Sequence, residues 1–346
     1  MINGHPHGVY DYKGGMKHMA KKLLLFFALS ASLLLVLFIE IGYPKEGLDK
    51  ISLEKPLPLS FRYKVGETLY YRLVRQNNQF KLDGTKAGEF RAVAYFTRTR
   101  IEDDNQGRVR EKFTWKSFAS GMSLNPSQPL KLAYFKEGED FSLILSVQDE
   151  DAIFKLDFSQ LPRTMDGLWF MIMSWDAITF DGPARPSKYF LFPDKAPVGA
   201  EIKETRGAYD FPFEFPPLLT DCKYSFSGKS SAKILGVSLI KNIPCAIIEF
   251  SQSENVVSMN LRLKPVELKS HGFEHFWGKT YLSLQDGRIV RGELSGPVVL
   301  VQDFLGPGKS QPERSELFIF GIVELDLITA EKFSQEIEKQ KEISKN

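Results

Sequence analysis

The chain has 346 residues, 43% of them apolar, 13% aromatic and 25% charged, with 45 Lys and Arg against 43 Asp and Glu. That apolar content excludes a disordered chain. The formal charge of +2 excludes a protein built to track a phosphate backbone, and two cysteines exclude a disulfide scaffold or a four-cysteine zinc site.

The first 15 residues, MINGHPHGVYDYKGG, carry no pattern. Lys13-Gly14-Gly15 is what a purine-rich ribosome-binding site yields when translated, so the expected start is Met16 or Met19. Leu23 to Ile39 then forms an uncharged apolar run that Ile41 and Gly42 extend past Glu40. Its length suits a spanning helix better than the shorter core of a secretory signal, and Glu40 is a poor residue for a cleavage site. The expectation is a cytoplasmic leader over 1–22, a transmembrane signal anchor over 23–42 and a spacer over 43–60. A cleaved, secreted form is the alternative. Lys17, Lys21 and Lys22 precede the run and hold the leader in the cytoplasm. The rest of the chain then lies outside the cytoplasmic membrane, in the periplasm or at the cell surface. Beyond residue 42 there are 41 charges of each sign, which gives that part no reason to seek nucleic acid.

After the proline-bearing KPLPLS the pattern changes to period two. Phe90, Ala92, Ala94 and Phe96 share one face of a predicted strand; Val109, Phe113 and Trp115 share one face of the next. Asp103 to Gly107 reads as the loop between them. Thr164 to Phe180, TMDGLWFMIMSWDAITF, breaks the pattern. Met165, Leu168, Trp169, Ile172 and Met173 fit helical spacing, and Phe170, Met171 and Trp175 cover the other side. Three readings stand: a core helix under a curved sheet, a lid or wall of an apolar cavity, or a strand at Leu168–Met173. The cavity reading makes Leu168, Trp169, Phe170, Met171, Met173 and Trp175 candidate ligand-binding residues. Ser283 to Leu294 reads as a hairpin turning at Gln285-Asp286-Gly287. Glu316 to Leu327 reads as a central strand, because LFIFGIV is apolar on both faces. Thr329 to Asn346 is charged and reads as a fraying surface helix.

The fold class expected is mostly β: antiparallel curved sheets, as a half-barrel or sandwich, with one buried apolar helix and the N-terminal transmembrane helix. Val65-Gly66-Glu67 and Val198-Gly199-Ala200-Glu201 open two similar strand sets, which suggests two lobes. The first covers 61–182 with the apolar helix near 164–180. A Pro-rich linker over 183–197 leads to a second lobe over 198–328, and 329–346 forms the tail.

Cys222 and Cys245 flank two predicted strands, and outside the membrane they are candidates for a disulfide or two buried thiols. His271-Gly272-Phe273-Glu274-His275 matches H-x-x-E-H, an inverted zinc-peptidase motif. That chemistry needs a helix and a third ligand. Gly272 disfavours the helix, and on a strand Glu274 points away from His271 and His275. The histidines are therefore weak metal candidates, a metal-dependent hydrolase is a minor alternative, and no cofactor is expected. No phosphate loop and no Gly-x-Ser-x-Gly elbow occur, so no catalytic residue is nominated and an enzyme is not expected.

Phe61, Tyr63, Val65, Gly66, Glu67, Leu69 and Tyr71 match f-x-y-x-v-G-E-x-L-x-Y; Pro193, Pro197, Val198 and Gly199 match P-x-x-x-P-V-G; Tyr281, Asp286, Gly287 and Ile289 match y-x-x-x-x-D-G-x-i. In these motifs the sequence resembles a loose group of bacterial envelope proteins. The resemblance implies an exported β-rich protein related to the curved half-barrels that carry lipids or lipoproteins, and it implies no catalytic residue. The expected function is a membrane-anchored envelope protein binding a lipid or lipidated partner. A structural module of an envelope complex is the alternative.

Overall fold

The computed structural model describes residues 55–59, 63–103, 109–123, 128–146, 156–181, 195–205, 209–212, 214–227, 229–263, 266–306 and 310–343. The expected leader, anchor and most of the spacer lie outside the described residues. So do most of the Asp103–Gly107 loop and most of the Pro-rich linker. Among the described residues no helix is long and apolar enough to cross a membrane.

The strands in chain order are β1 (Leu57–Pro58), β2 (Thr68–Lys81), β3 (Lys86–Ile101), β4 (Arg110–Ser123), β5 (Ala133–Tyr134), β6 (Ser142–Ser146), β7 (Lys195–Ala196) and β8 (Glu201–Thr205). They continue with β9 (Tyr209–Pro212), β10 (Leu219–Phe226), β11 (Lys229–Ile240), β12 (Ile243–Leu263), β13 (Val266–Ser283), β14 (Ile289–Leu305) and β15 (Glu313–Ile328). Among the described residues two α-helices accompany them, α1 (Met165–Thr179) and α2 (Ala330–Ile343). Thirteen strands form one antiparallel sheet with the central order β4-β3-β2-β15-β14-β13-β12-β10; β1 pairs only with β7. Strands from both expected lobes therefore share one sheet, joined where β15 pairs with β2. The two VG turns are built alike. Gly66 (φ +85°) donates to Arg100 O and Gly199 (φ +84°) to Ile234 O, each at 2.8 Å, in a left-handed conformation that glycine adopts without strain.

The sheet curls around α1. Flat, β3 and β13 would lie four strand spacings, about 19 Å, apart. Yet Phe180 O accepts from Thr280 Oγ1 on β13 at 3.1 Å, while the next residue, Asp181, accepts from Arg98 Nη1 on β3 at 2.9 Å. Thr164 starts α1 as its N-cap, accepting from Gly167 N at 3.3 Å. The helix is apolar on all sides because it plugs the inner face. Phe170 sits 4.9 Å from Trp115 and 5.6 Å from Phe118, ring centre to ring centre, and Trp169 stacks on Phe90 at 3.7 Å. Phe180 presses against Gly292, where an added Cβ would lie 2.5–2.7 Å from its ring, so only glycine admits the ring there.

The tail forms a surface helix, and Phe333 and Ile337 of α2 are buried against Tyr70, Val74, Val93 and Tyr95 on the outer face of β2 and β3. Gln340 Nε2 donates to Val93 O at 2.9 Å, and Ser117 hydrogen-bonds Gln340. An i, i+4 apolar pair was enough to dock it. Of the two readings of Cys222 and Cys245, the structure shows two buried thiols and not a disulfide. Cys222 Sγ lies beside Asn260 near one end of β12, and Cys245 pairs with Ser283 near the other. Fifteen residues of strand, about 50 Å, separate the two levels, which no disulfide spans.

Candidate ligand-binding site

The alternating strands put their odd or even residues on the inner face, and not all of these are apolar. β2 presents Leu69, Tyr71 and Leu73 inward, then Arg75 and Asn77. Arg75 Nη1 donates to both carboxylate oxygens of Asp176 on α1 at 2.7 Å, and its Nε donates to Asn77 Oδ1 at 3.2 Å. Tyr224 of β10 donates its hydroxyl proton to Glu274 of β13. Burial raises the pKa of Asp176 and of Glu274, with the Arg75 charge opposing that rise in both. Asn255, fully buried beside Glu274 in the register, accepts from Ser227 N at 3.3 Å and leaves its Nδ2 without a partner.

Past this polar girdle the inner face continues. Asn77 pairs in register with Gly321, and Gly321 with Gly296, a shallow step without bulk. Two rows follow across β2, β15, β14, β13 and β12. The first is Gln79, Ile319, Val298, Glu274 and Asn255; the second is Lys81, Leu317, Leu300, Gly272 and Val257. Leu317, Ile319 and Val298 are half-buried, Leu300 and Val257 are buried, and none of the five belongs to the main core under α1. Leu300 lies over Gly272, where an added Cβ would come within 2.8 Å of its Cδ2. The result is a trough with an apolar middle, polar groups at both ends and the charged girdle at its inner limit.

The expected site residues fall elsewhere. Leu168, Phe170, Met171 and Met173 are buried core residues, and Trp169 and Trp175 are half-buried beside Phe90 and Phe158. The helix fills the closed end of the sheet; the open surface belongs to strands. His271 and His275 stand exposed on the outer face of β13 while Glu274 faces inward, so the H-x-x-E-H spacing does not converge. Among the described residues no group of three or more His, Cys, Asp or Glu is placed to hold a metal ion.

A second polar cluster pins the other end of α1. Arg98 Nε donates to Glu111 Oε2 at 3.0 Å, and its Nη2 donates to the same carboxylate. Arg98 Nη1 and Nη2 donate to Asp181 at 2.9 and 3.0 Å, and the guanidinium lies 4.5 Å over the Phe113 ring. Sequence reading missed Arg75, Arg98 and Glu111. The signal was present: extending Phe90-Ala92-Ala94-Phe96 by two residues reaches Arg98, and Glu111 lies between Val109 and Phe113 on the apolar face.

No family model and no curated protein matches the sequence. Among solved structures, an exported protein with a YmcC-like fold from Bacteroides fragilis is 9% identical with a TM-score of 0.16, covering 79% of this chain and 97% of its own. An outer membrane channel of Pseudomonas putida F1 is 7% identical with a TM-score of 0.19, covering 78% and 97%. Scores this low assign neither fold nor function to the chain.

Proposed function

We propose that the chain is an exported, membrane-anchored envelope protein that binds an apolar ligand, a lipid or the lipid part of a partner, without catalysis. The observation that carries this reading is the trough: five aliphatic side chains on a curled sheet, outside the core, bounded by hydrogen-bonding groups. A tail covering Leu317, Ile319 and Val298 would gain about 1 kcal/mol from each half-buried side chain. The Glu274 and Tyr224 pair would meet a polar head. The apolar run at 23–42 behind Lys17, Lys21 and Lys22 supports export and anchoring. The test is mass spectrometry of lipids extracted from the purified full chain. The expected result is a co-purifying lipid that is lost in Ile319→Asp and retained in Glu324→Gln on the outer face. A lipid-free wild type, or equal loading of both variants, overturns the reading.

A further inference from the structure

The outer face of the same strands carries a second surface. α2 covers this face over β2, β3 and β4. Among the described residues no helix covers it on β12 to β15, and the register sorts its residues by chemistry. Val256, Phe273, Val299, Phe318 and Phe80 form one apolar row across five strands. Two residues further along β13, His275 lies 5.5 Å from Trp277, and Trp277 lies 6.3 Å from Phe320. Phe273 is 58% exposed, Val299 43% and Trp277 42%. On one side of this band a cavity of about 350 Å³ is lined by Lys269, His271, Asp303, Arg314, Ser258 and Asn260. On the other side Glu249, Lys279, Glu293 and Glu324 form a charged row.

We propose that this outer face rests on a phospholipid bilayer, with a zwitterionic head group in the cavity. The cavity offers two cations for a phosphate, Arg314 and Lys269, the latter 3.7 Å from Glu267, and one anion, Asp303, for an ammonium group. The aromatic band supplies side chains that favour the boundary between head groups and acyl chains. From the Phe273 row to the Trp277 row the band spans about 14 Å, and across its strands about 19 Å. That is well below the roughly 800 Å² per partner of a stable protein complex. A domain already tethered to the bilayer needs no more, because the tether raises the local concentration of the surface. Tyr43 to Glu54 is a short link between the apolar run and Lys55, reaching at most about 40 Å. The inference rests on the anchored reading above.

The four tryptophans separate the two faces. Trp115 is fully buried, Trp169 and Trp175 lie on α1, and Trp277 is exposed on the outer face. The experiment reconstitutes the full chain into vesicles of phosphatidylethanolamine and phosphatidylcholine with brominated acyl chains. It reads flotation and tryptophan quenching together. The expected result is flotation with a quenched component that disappears in Trp277→Phe and shrinks in a Lys269→Gln, Arg314→Gln double variant. Flotation with quenching unchanged in Trp277→Phe, or with none, overturns the outer-face contact and leaves the anchor standing. A chain that fails to float overturns both. Phe273→Ser is a second variant, expected to weaken quenching while its circular dichroism stays that of the wild type.

Discussion

Replacing Arg98 by methionine removes a guanidinium shared by Glu111 and Asp181 and keeps an unbranched stem over Phe113. The side chains of Arg98, Glu111 and Asp181 are 1%, 0% and 7% exposed. Breaking a buried pair strands charge in a low-dielectric interior and typically costs about 3–5 kcal/mol, far more than the pair contributes relative to apolar replacements. Here the single variant takes the Arg98 partner from two carboxylates at once. The expected loss is thus at least about 3 kcal/mol in equilibrium urea unfolding at pH 7, followed by tryptophan emission. The triple variant Arg98→Met, Glu111→Gln, Asp181→Asn carries no buried charge and should recover to within about 2 kcal/mol of wild type. A single variant that loses under about 1 kcal/mol, or a triple variant less stable than the single, would refute the argument that the cluster is a compensated burial of charge.

Glu274 carries a raised pKa because it is buried. Its stabilisation is complete below the unfolded value of about 4.3 and is lost as pH rises through the folded value. The Tm of Glu274→Gln relative to wild type should therefore increase between pH 4 and pH 8; a difference that shrinks with pH contradicts this. Burial pushes the Cys245 thiol up to about 12, so iodoacetamide at pH 8 should spare Cys245 in the folded chain and modify both cysteines in urea. A gel shift on reduction would restore the disulfide. Gly292→Ala forces a Cβ into the Phe180 ring and should cost about 1–3 kcal/mol. Gly321→Ala meets only Asn77 Oδ1 at 3.2 Å and Gly296 O at 3.7 Å and should cost less; equal losses would show that the ring relaxes freely. Phe333→Ala should destabilise the fold by about 3 kcal/mol, read in the same unfolding assay, because Phe333 is buried between Tyr70 and Tyr95.

Period-two alternation located β3 and β4, and the all-round apolar pattern of 164–180 located α1 within a residue, because both are local consequences of side-chain direction. The central placement of β15 was also legible: LFIFGIV has no polar face, and β15 does lie between β14 and β2. What could not be read was which face of a long strand meets which element. Phe170 and Ile319 are both apolar, yet one is packed under the sheet and the other lines its open end. That difference is set by where α1 stops along the strands. The ion clusters were legible by half. Alternation puts Arg98 and Glu111 on inward faces, but Asp176 and Asp181, the partners of Arg75 and Arg98, come about a hundred and about eighty residues later, beyond any local pattern. The Cys222 and Cys245 pairing failed because spacing in sequence says nothing about position along a twenty-one-residue strand.

The seam between β2 and β15 has a consequence for how the molecule is made. Leu73, near the start of the fold, hydrogen-bonds its strand to that of Leu325, near its end. A chain synthesised from its N-terminus delivers β2, β3 and β4 long before β15 exists. Until then the far edge of β2 offers a row of unpaired main-chain groups, the kind of template on which strands of other molecules add. Such distant pairings also form slowly. Chains interrupted before Glu313 would be left with two such edges, on β2 and β14, and should assemble with one another rather than remain monomeric.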